Sequence, residues 1–258
     1  MEISFSIITV TLNSKKDLLK TIGSVQSQSN KNFSHIIKDG LSNDNTRNLD
    51  FSNFVNTFFF ESRDFGVYDA MNQGFNYAKD NFIIYLNAGD IFSSKNSLEE
   101  LASNIKKNPF YNIYIGGTIQ IDPFKKVPLR LMGIGSLYKA IPFAQMPHPS
   151  FVIRRSILAE LGKPFDSNLK IAADYKQQLL LRKKNLWRVY YLKQIISIMP
   201  IGGISNRKKK SIIKGYLETY SFSKKIYGFL AILILITKVI LNIYSRFFSH
   251  NLKKDINY

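Results

Sequence analysis

Several short runs place polar and acidic side chains where chemistry is possible. Thr9, Thr11 and Asn13 close the β-rich run SIITVTLNS, and Asp39 closes a second one in IIKDGLSNDNT. A carboxylate at a strand end, followed by glycine and a polar turn, can accept hydrogen bonds from a base or a ribose. In DFGVYDAMNQG, Asp64 to Gly74, Gly66 permits a tight backbone approach, and Asn72 can meet a polar ligand from a helix. Asn87-Ala88-Gly89-Asp90 follows the apolar run FIIYL. An acid in that place can hold a hard divalent cation, which keeps waters and takes substrate phosphates as its other ligands. Asp174, in AADY, falls in the first turn of a helix, whose partial positive charge favours the ionised form. His148 stands in the loop MPHPSF. Singly, each has a structural reading as well: Asp–Gly turns are common, Ala70 and Gly74 suit a helix packed closely on a sheet, and a loop histidine can simply order its loop.

The elements that must position these groups alternate. Strand-like runs cover Phe5–Val10, Ser34–Lys38, Thr57–Glu61 and Phe82–Leu86, and helical patterns cover Lys15–Gln28 and Tyr68–Asp80. Asn13 or Ser14 can cap the first helix. Strand, helix, strand, helix predicts a mostly parallel α/β sheet covered on both faces, with ligands at the carboxyl ends of the strands. Beyond Asp90 the pattern gives a helix over Ser97–Lys107, a strand over Ile113–Ile121 and loops from Pro123 to Pro149. Helices over Arg154–Gly162 and Ala172–Lys184 and a strand over Val189–Met199 follow.

Charge divides the 258 residues unevenly. Residues 1–100 carry 9 basic and 12 acidic side chains, whereas residues 101–258 carry 27 and 6, within a total of +18. Nucleic acid is not an expected partner: no helix-turn-helix, zinc-finger or RNP-like pattern accompanies the charge. Absence of cysteine excludes disulfides, a thiolate nucleophile and thiolate metal sites. No secretory signal is visible at Met1-Glu2-Ile3, which predicts a cytoplasmic protein. The uninterrupted apolar run Phe229–Ile236 is too short to span a bilayer, and Lys238, Asn242 and Ser245 form a narrow polar stripe on the helix that contains it. Basic residues flank it, among them RKKK at Arg207–Lys210. Such an amphipathic helix suits the headgroup region of an anionic leaflet, although packing on the domain or a second subunit accounts for it too.

In their order and spacing, SIITVTLNS, SVQSQS, IIKDGLSNDNT, DFGVYDAMNQG and YLNAGD resemble the family 2 glycosyltransferases of the GT-A nucleotide-diphospho-sugar transferase fold. The resemblance runs over about residues 3–205 and is greatest to bacterial enzymes building O-antigen, capsule or colanic-acid-type polysaccharides. It implies a domain over 1–205, divided into a nucleotide-sugar half (1–100) and an acceptor half (101–205), with a basic linker and amphipathic helical tail over 206–258. By motif, Thr9, Thr11 and Asn13 meet the nucleotide, and Asp39 reads the uracil ring. Asp64, Gly66 and Asn72 line the donor pocket. Asn87 and Asp90 belong to the acidic motif, Asp90 holding Mg2+ or Mn2+ and the diphosphate. His148 lies near the acceptor and diphosphate, and Asp174 is the general base of an inverting transfer. Gly202-Gly203-Ile204-Ser205 matches a segment that folds over the donor. Leu12 stands where many members have an aromatic, and Asp90 is the acidic motif's only carboxylate. The implied partners are a UDP-sugar, a glycan on undecaprenyl diphosphate and the inner face of the cell membrane. The alternative is a catalytically silent relative acting as a membrane-associated assembly partner.

Overall fold

The computed structural model describes residues 2–201 and 209–251. Strand β1 (Phe5–Thr11), helix α1 (Lys15–Gln26), β2 (Phe33–Asp39), β3 (Thr57–Glu61), α2 (Val67–Tyr77), β4 (Phe82–Tyr85), the short β5 (Ile91–Phe92) and α3 (Ser97–Lys107) build the first part. There follow β6 (Ile113–Ile121), β7 (Pro128–Met132), α4 (Ser136–Ala140), β8 (Phe151–Arg154), α5 (Arg155–Ala159), α6 (Ala173–Lys183) and β9 (Val189–Pro200). Helices α7 (Lys209–Tyr227) and α8 (Ala231–Asn251) close the described chain.

All nine strands share one sheet in the order β3-β2-β1-β4-β8-β6-β9-β5, with β7 on β6. The first four are parallel, as the apolar runs predict. The sheet as a whole is mixed rather than mostly parallel, because β8, β5 and β7 pair antiparallel with their neighbours while β6 and β9 run parallel. The strand alternation divides the core between two faces. Phe5 and Ile7 pack with Leu98 and Leu101 of α3, while Ile8 meets Ala70 and Met71 of α2 on the other face. Gly74 is what permits this approach, since a Cβ there would lie 2.6 Å from Ile8 Cγ2.

Three local expectations change. The stretch from Pro123 to Pro149 contains β7 and α4 rather than loops alone, and Phe151–Arg154 is a strand before the short α5. Neither Asn13 nor Ser14 caps α1: Ser14 Oγ donates to the Leu12 carbonyl, and Asp44, from the next loop, accepts the Lys15 amide at 2.8 Å.

The tail differs most. α8 has 21 residues, about 31 Å of helix at 1.5 Å per residue. Lys210–Phe247 therefore includes helix long and apolar enough to cross a membrane by length and composition. Yet α8 folds back on α7, antiparallel to it: Lys238 Nζ donates to Thr219 Oγ1 at 2.9 Å and Asn242 Nδ2 to the Tyr216 hydroxyl at 3.2 Å. The polar stripe thus faces protein. Ile236, Ile240, Ile243 and Phe247 lie on the exposed side.

Candidate functional site

The carboxyl ends of β1, β2 and β4 meet the start of α2 on one rim of the sheet. Asn13 has a left-handed backbone (φ 51°), and its Oδ1 accepts the Asn43 amide at 2.8 Å, joining the turn after β1 to the loop after β2. Asp39 is fully buried and accepts the Ser42 amide at 2.7 Å and hydroxyl at 2.5 Å, while Ser42 Oγ accepts the Asn13 amide at 2.7 Å. A carboxylate held so tightly fixes the loop before any ligand arrives. An open cleft of about 610 Å3 borders this loop, lined by Ser42, Asn43, Arg47 and Glu61 among others.

Asp64 is anchored at both oxygens. Oδ2 accepts Lys38 Nζ at 2.8 Å and Oδ1 accepts the Gly66 amide at 3.1 Å. Gly66 has φ 125°, which an L side chain rarely adopts, and stands at the N-cap of α2. Gly40 completes the convergence: a Cβ on it would lie 2.8 Å from Asp64 Oδ2 and 3.3 Å from Leu12 Cδ1.

Two of the expected site side chains bond within the protein. Thr9 is fully buried, its hydroxyl donating to the Leu86 carbonyl at 2.7 Å and lying 2.9 Å from His35 Nε2. Asn72 exchanges two hydrogen bonds with the backbone of Phe165, at 2.8 and 2.9 Å, and ties α2 to the segment before α6. Their side chains brace the site from behind. Gly202–Ser205 lies outside the described residues.

Other polar atoms are left without partners. Of seven buried side-chain nitrogen and oxygen atoms with no hydrogen bond among the described residues, four belong to Thr11, Tyr85, Asn87 and His148. An unpaired buried polar group costs about 1–3 kcal/mol, so each calls for an explanation. Here they gather where β1 and β4 end. The His148 ring packs on Tyr85, centroids 5.1 Å apart, and on Phe165 at 5.6 Å. Burial lowers the pKa of His148, and the Asp174 carboxylate opposes that shift.

Asp90 is buried, and desolvation pushes its carboxyl up to about 8. Its backbone is fixed: its amide donates to the Asn87 carbonyl at 2.9 Å, and its carbonyl accepts the Thr21 hydroxyl at 2.8 Å. Among the described residues no group of three acidic or histidine side chains gathers to hold an ion. Asn87, whose carbonyl closes the same turn, carries in its unpartnered Oδ1 a second hard oxygen. The pair fits a divalent cation that takes most of its ligands from phosphate and water.

Asp174 comes from the far half of the chain. It sits in the first turn of α6, with Tyr68 Oη 3.4 Å from Oδ1 and Gln145 Nε2 donating to Oδ2 at 3.2 Å. Tyr68 lies on α2 in the first half and donates to the Ile171 carbonyl at 2.7 Å. Burial, with Asp174 adding to it, holds its phenol well above its ordinary pKa, so it remains a donor. The arrangement joins an ionisable acid, a buried histidine and the strand ends.

Sequence reasoning missed Lys38, Tyr68, Gln145 and Glu218. Tyr68 lay within a quoted motif. Glu218 was one of just two acids in the basic tail, and that isolation was a usable sign. Gln145 gave none.

A family model described as Glycosyl transferase family 2 matches residues 6–162. Similar curated proteins include a PGL/p-HBAD biosynthesis glycosyltransferase of Mycobacterium tuberculosis, 25% identical over 209 residues, which are 78% of this chain and 79% of that protein. An uncharacterized glycosyltransferase of the same species is 25% identical over 225 residues, covering 83% and 81%. Among solved structures, residues 1–349 of S. aureus TarS in complex with UDP-GlcNAc superpose with a TM-score of 0.70 at 17% identity, covering 98% of this chain and 77% of that one. The mannosyltransferase PcManGT of Pyrobaculum calidifontis, in complex with GDP-Man and Mn2+, gives 0.66 at 12% identity, covering 97% and 74%. These likenesses establish the GT-A-like fold. With the family model covering most of the sheet and the first-half motifs, the chain belongs to glycosyltransferase family 2.

Proposed function

We propose that the protein is an inverting glycosyltransferase that moves a sugar from a UDP-sugar to a hydroxyl of a lipid-linked glycan during cell-surface polysaccharide synthesis. The convergence of Asp174 with Tyr68 and the orphaned polar atoms of Thr11, Tyr85, Asn87 and His148 carries this reading. The donor nucleotide lies over the ends of β1 and β2, with Asp39 and Asn13 holding the loops that receive it and Asp64 at the edge of the pocket. Thr11 and Asn87 offer unpaired groups to the donor. UDP is favoured by likeness to TarS, whose complex contains UDP-GlcNAc.

Asp90 and Asn87 would hold Mg2+ or Mn2+, which when bound supplies positive charge to a departing diphosphate. Asp174 accepts the proton of an acceptor hydroxyl while that oxygen bonds to the anomeric carbon and the bond to the diphosphate oxygen breaks. An α-linked donor then gives a β-glycoside. Gln145 donates to the base, and Tyr68 fixes the Ile171 carbonyl three residues before it. His148, neutral because it is buried, stands on the acceptor and phosphate side.

The exposed apolar side of α8, flanked by Lys224 and Lys225 near the end of α7, suits the surface of an anionic leaflet, lying on it rather than crossing it. α8's other side is occupied by protein. The test is UDP release from a panel of nucleotide sugars with a lipid-linked acceptor pool, with and without Mg2+ or Mn2+. Transfer by wild type and its loss in Asp174→Asn are the expected results. Near-wild-type turnover by that variant refutes the base assignment, and UDP release from no donor favours the silent assembly partner.

A further inference from the structure

Helix α6 begins without a cap of its own. Its N-cap residue is Ala172, which has no side chain able to accept an amide. The amides ahead of the helix are taken by another element. Glu218, in the middle of α7, accepts the Lys170 amide on Oε1 at 3.0 Å, and the Ile171 and Ala172 amides on Oε2 at 2.9 and 3.0 Å. One carboxylate thus binds three consecutive amides just ahead of the helix that carries the base. Gly215, one turn earlier on α7, allows the approach: a Cβ there would lie 3.0 Å from Ile171 Cγ2.

The segment so held is the one that places Asp174. Its Ile171 carbonyl accepts the Tyr68 hydroxyl that also lies near Asp174 Oδ1. Bringing a second carboxylate to this helix end has an electrostatic cost, and Lys238 of α8 offsets it. The Lys238 ammonium donates to Oγ1 of Thr219, the residue after Glu218, and lies 5.1 Å from the ring centroid of Tyr175, the residue after Asp174, and 5.7 Å from that of Tyr216. Burial pushes its pKa down to about 8 while the two carboxylates oppose the shift, so the ammonium is mostly charged at neutral pH.

We propose that Glu218 is a positioning residue for the base Asp174 and that Lys238 balances the two carboxylates, which makes the C-terminal helix pair part of the catalytic centre and not solely a surface anchor. This rests on Asp174 being the base. Exposed amides can be satisfied by water, but water does not fix a backbone. A carboxylate anchored on a packed helix does. A reacting group misplaced by about 1 Å costs about 100-fold in rate.

Full-length Glu218→Gln, Glu218→Ala, Lys238→Met, Lys238→Arg and Asp174→Asn are compared with wild type for kcat, donor KM, UDP affinity and Tm, assaying well below every Tm. In Glu218→Gln one of the two acceptor oxygens becomes a donor facing amides, so kcat falls about 10- to 100-fold while donor KM and UDP affinity stay within about twofold. Lys238→Met shows the same split, and Lys238→Arg restores most of the activity. A contact that merely braces the tail lowers Tm and leaves kcat of the folded enzyme unchanged. Should Glu218→Ala fail to fold, Glu218→Gln, which keeps the shape, carries the test. Folded Glu218 variants with wild-type kcat beside an inactive Asp174→Asn overturn this inference alone. Wild-type turnover by Asp174→Asn overturns the base assignment and the inference with it.

Discussion

Lys38 offers the sharpest test of how the donor rim is held. Its side chain is fully buried, that of Asp64 is 10% exposed, and its three ammonium protons go to three acceptors at 2.8 Å: the Asp39 carbonyl, the Ser62 carbonyl and Asp64 Oδ2. Lys38→Met keeps the aliphatic stem and removes the charge. It leaves two carbonyls and one carboxylate without their donor. Removing one partner of a buried pair costs about 3–5 kcal/mol, a large part of the 5–15 kcal/mol typical of a whole domain. Asp64→Leu should cost about the same, because it leaves the ammonium uncompensated. The double variant removes both members of the pair, so it should be destabilised by at least about 2 kcal/mol less than the two single losses combined. Urea unfolding of wild type and the three variants measures this cycle, and UDP titration of each reports whether the pocket edge has moved. Weaker UDP binding is expected in all three. A Lys38→Met loss below about 1 kcal/mol, or additivity within about 0.5 kcal/mol, refutes the reasoning.

Other consequences are as direct. Burial pushes His35 down to about 3 from an ordinary 6.5, so the folded protein holds it neutral, and the stability this confers is complete above about pH 6.5 and is lost as pH falls towards 3. Unfolding free energy should therefore drop by about 1.4 kcal/mol per pH unit from this residue alone below pH 6.5. His35→Gln should flatten that slope in denaturant titrations, and an unchanged slope rejects the assignment. Gly40→Ala should cost about 1–3 kcal/mol and raise donor KM, since its Cβ meets the Asp64 carboxylate at 2.8 Å, and wild-type values for both show that the rim yields freely. Ile236→Glu with Ile240→Glu should abolish co-sedimentation with anionic vesicles while leaving turnover of a water-soluble acceptor intact. Retained co-sedimentation removes the membrane role of that face.

The first half of the fold was legible because its central strands, β1 and β4, are β-rich runs buried along their whole length. Phe5–Thr11 and Phe82–Tyr85 show this plainly. β7 was hidden: it pairs with β6 alone, and in Pro-Leu-Arg-Leu-Met the Arg130 side chain interrupts the apolar pattern. The polar stripe on α8 was legible, but its direction was not. A helix apolar on most of its circumference does not reveal which side meets protein, and here Thr219 and Tyr216 supply the polar partners that water was expected to supply. Among site residues, Asp39, Asp64 and Gly66 stand at the strand-end rim. Thr9 and Asn72 carried equally suggestive motif positions, yet their partners are a distant carbonyl and a distant backbone segment, and no local pattern reports those. The anchors of the start of α1 and of the segment leading into α6 escaped for the same reason: Asp44 and Glu218 reach amides that their own neighbouring residues leave open.

The pairing of β9 between β6 and β5 sets a condition on synthesis. Ile121 pairs with Pro200, and Ile91 with Ile198, so strands made early have neighbours made about 80 to 110 residues later. At ~5–20 residues per second the ribosome takes from several seconds to about twenty to supply them. Throughout that interval the nascent chain exposes an open β edge along β6, and so does any product truncated after residue 162. The nascent half-sheet is therefore a natural client for a holdase, and its solubility on the ribosome depends on translation continuing through β9.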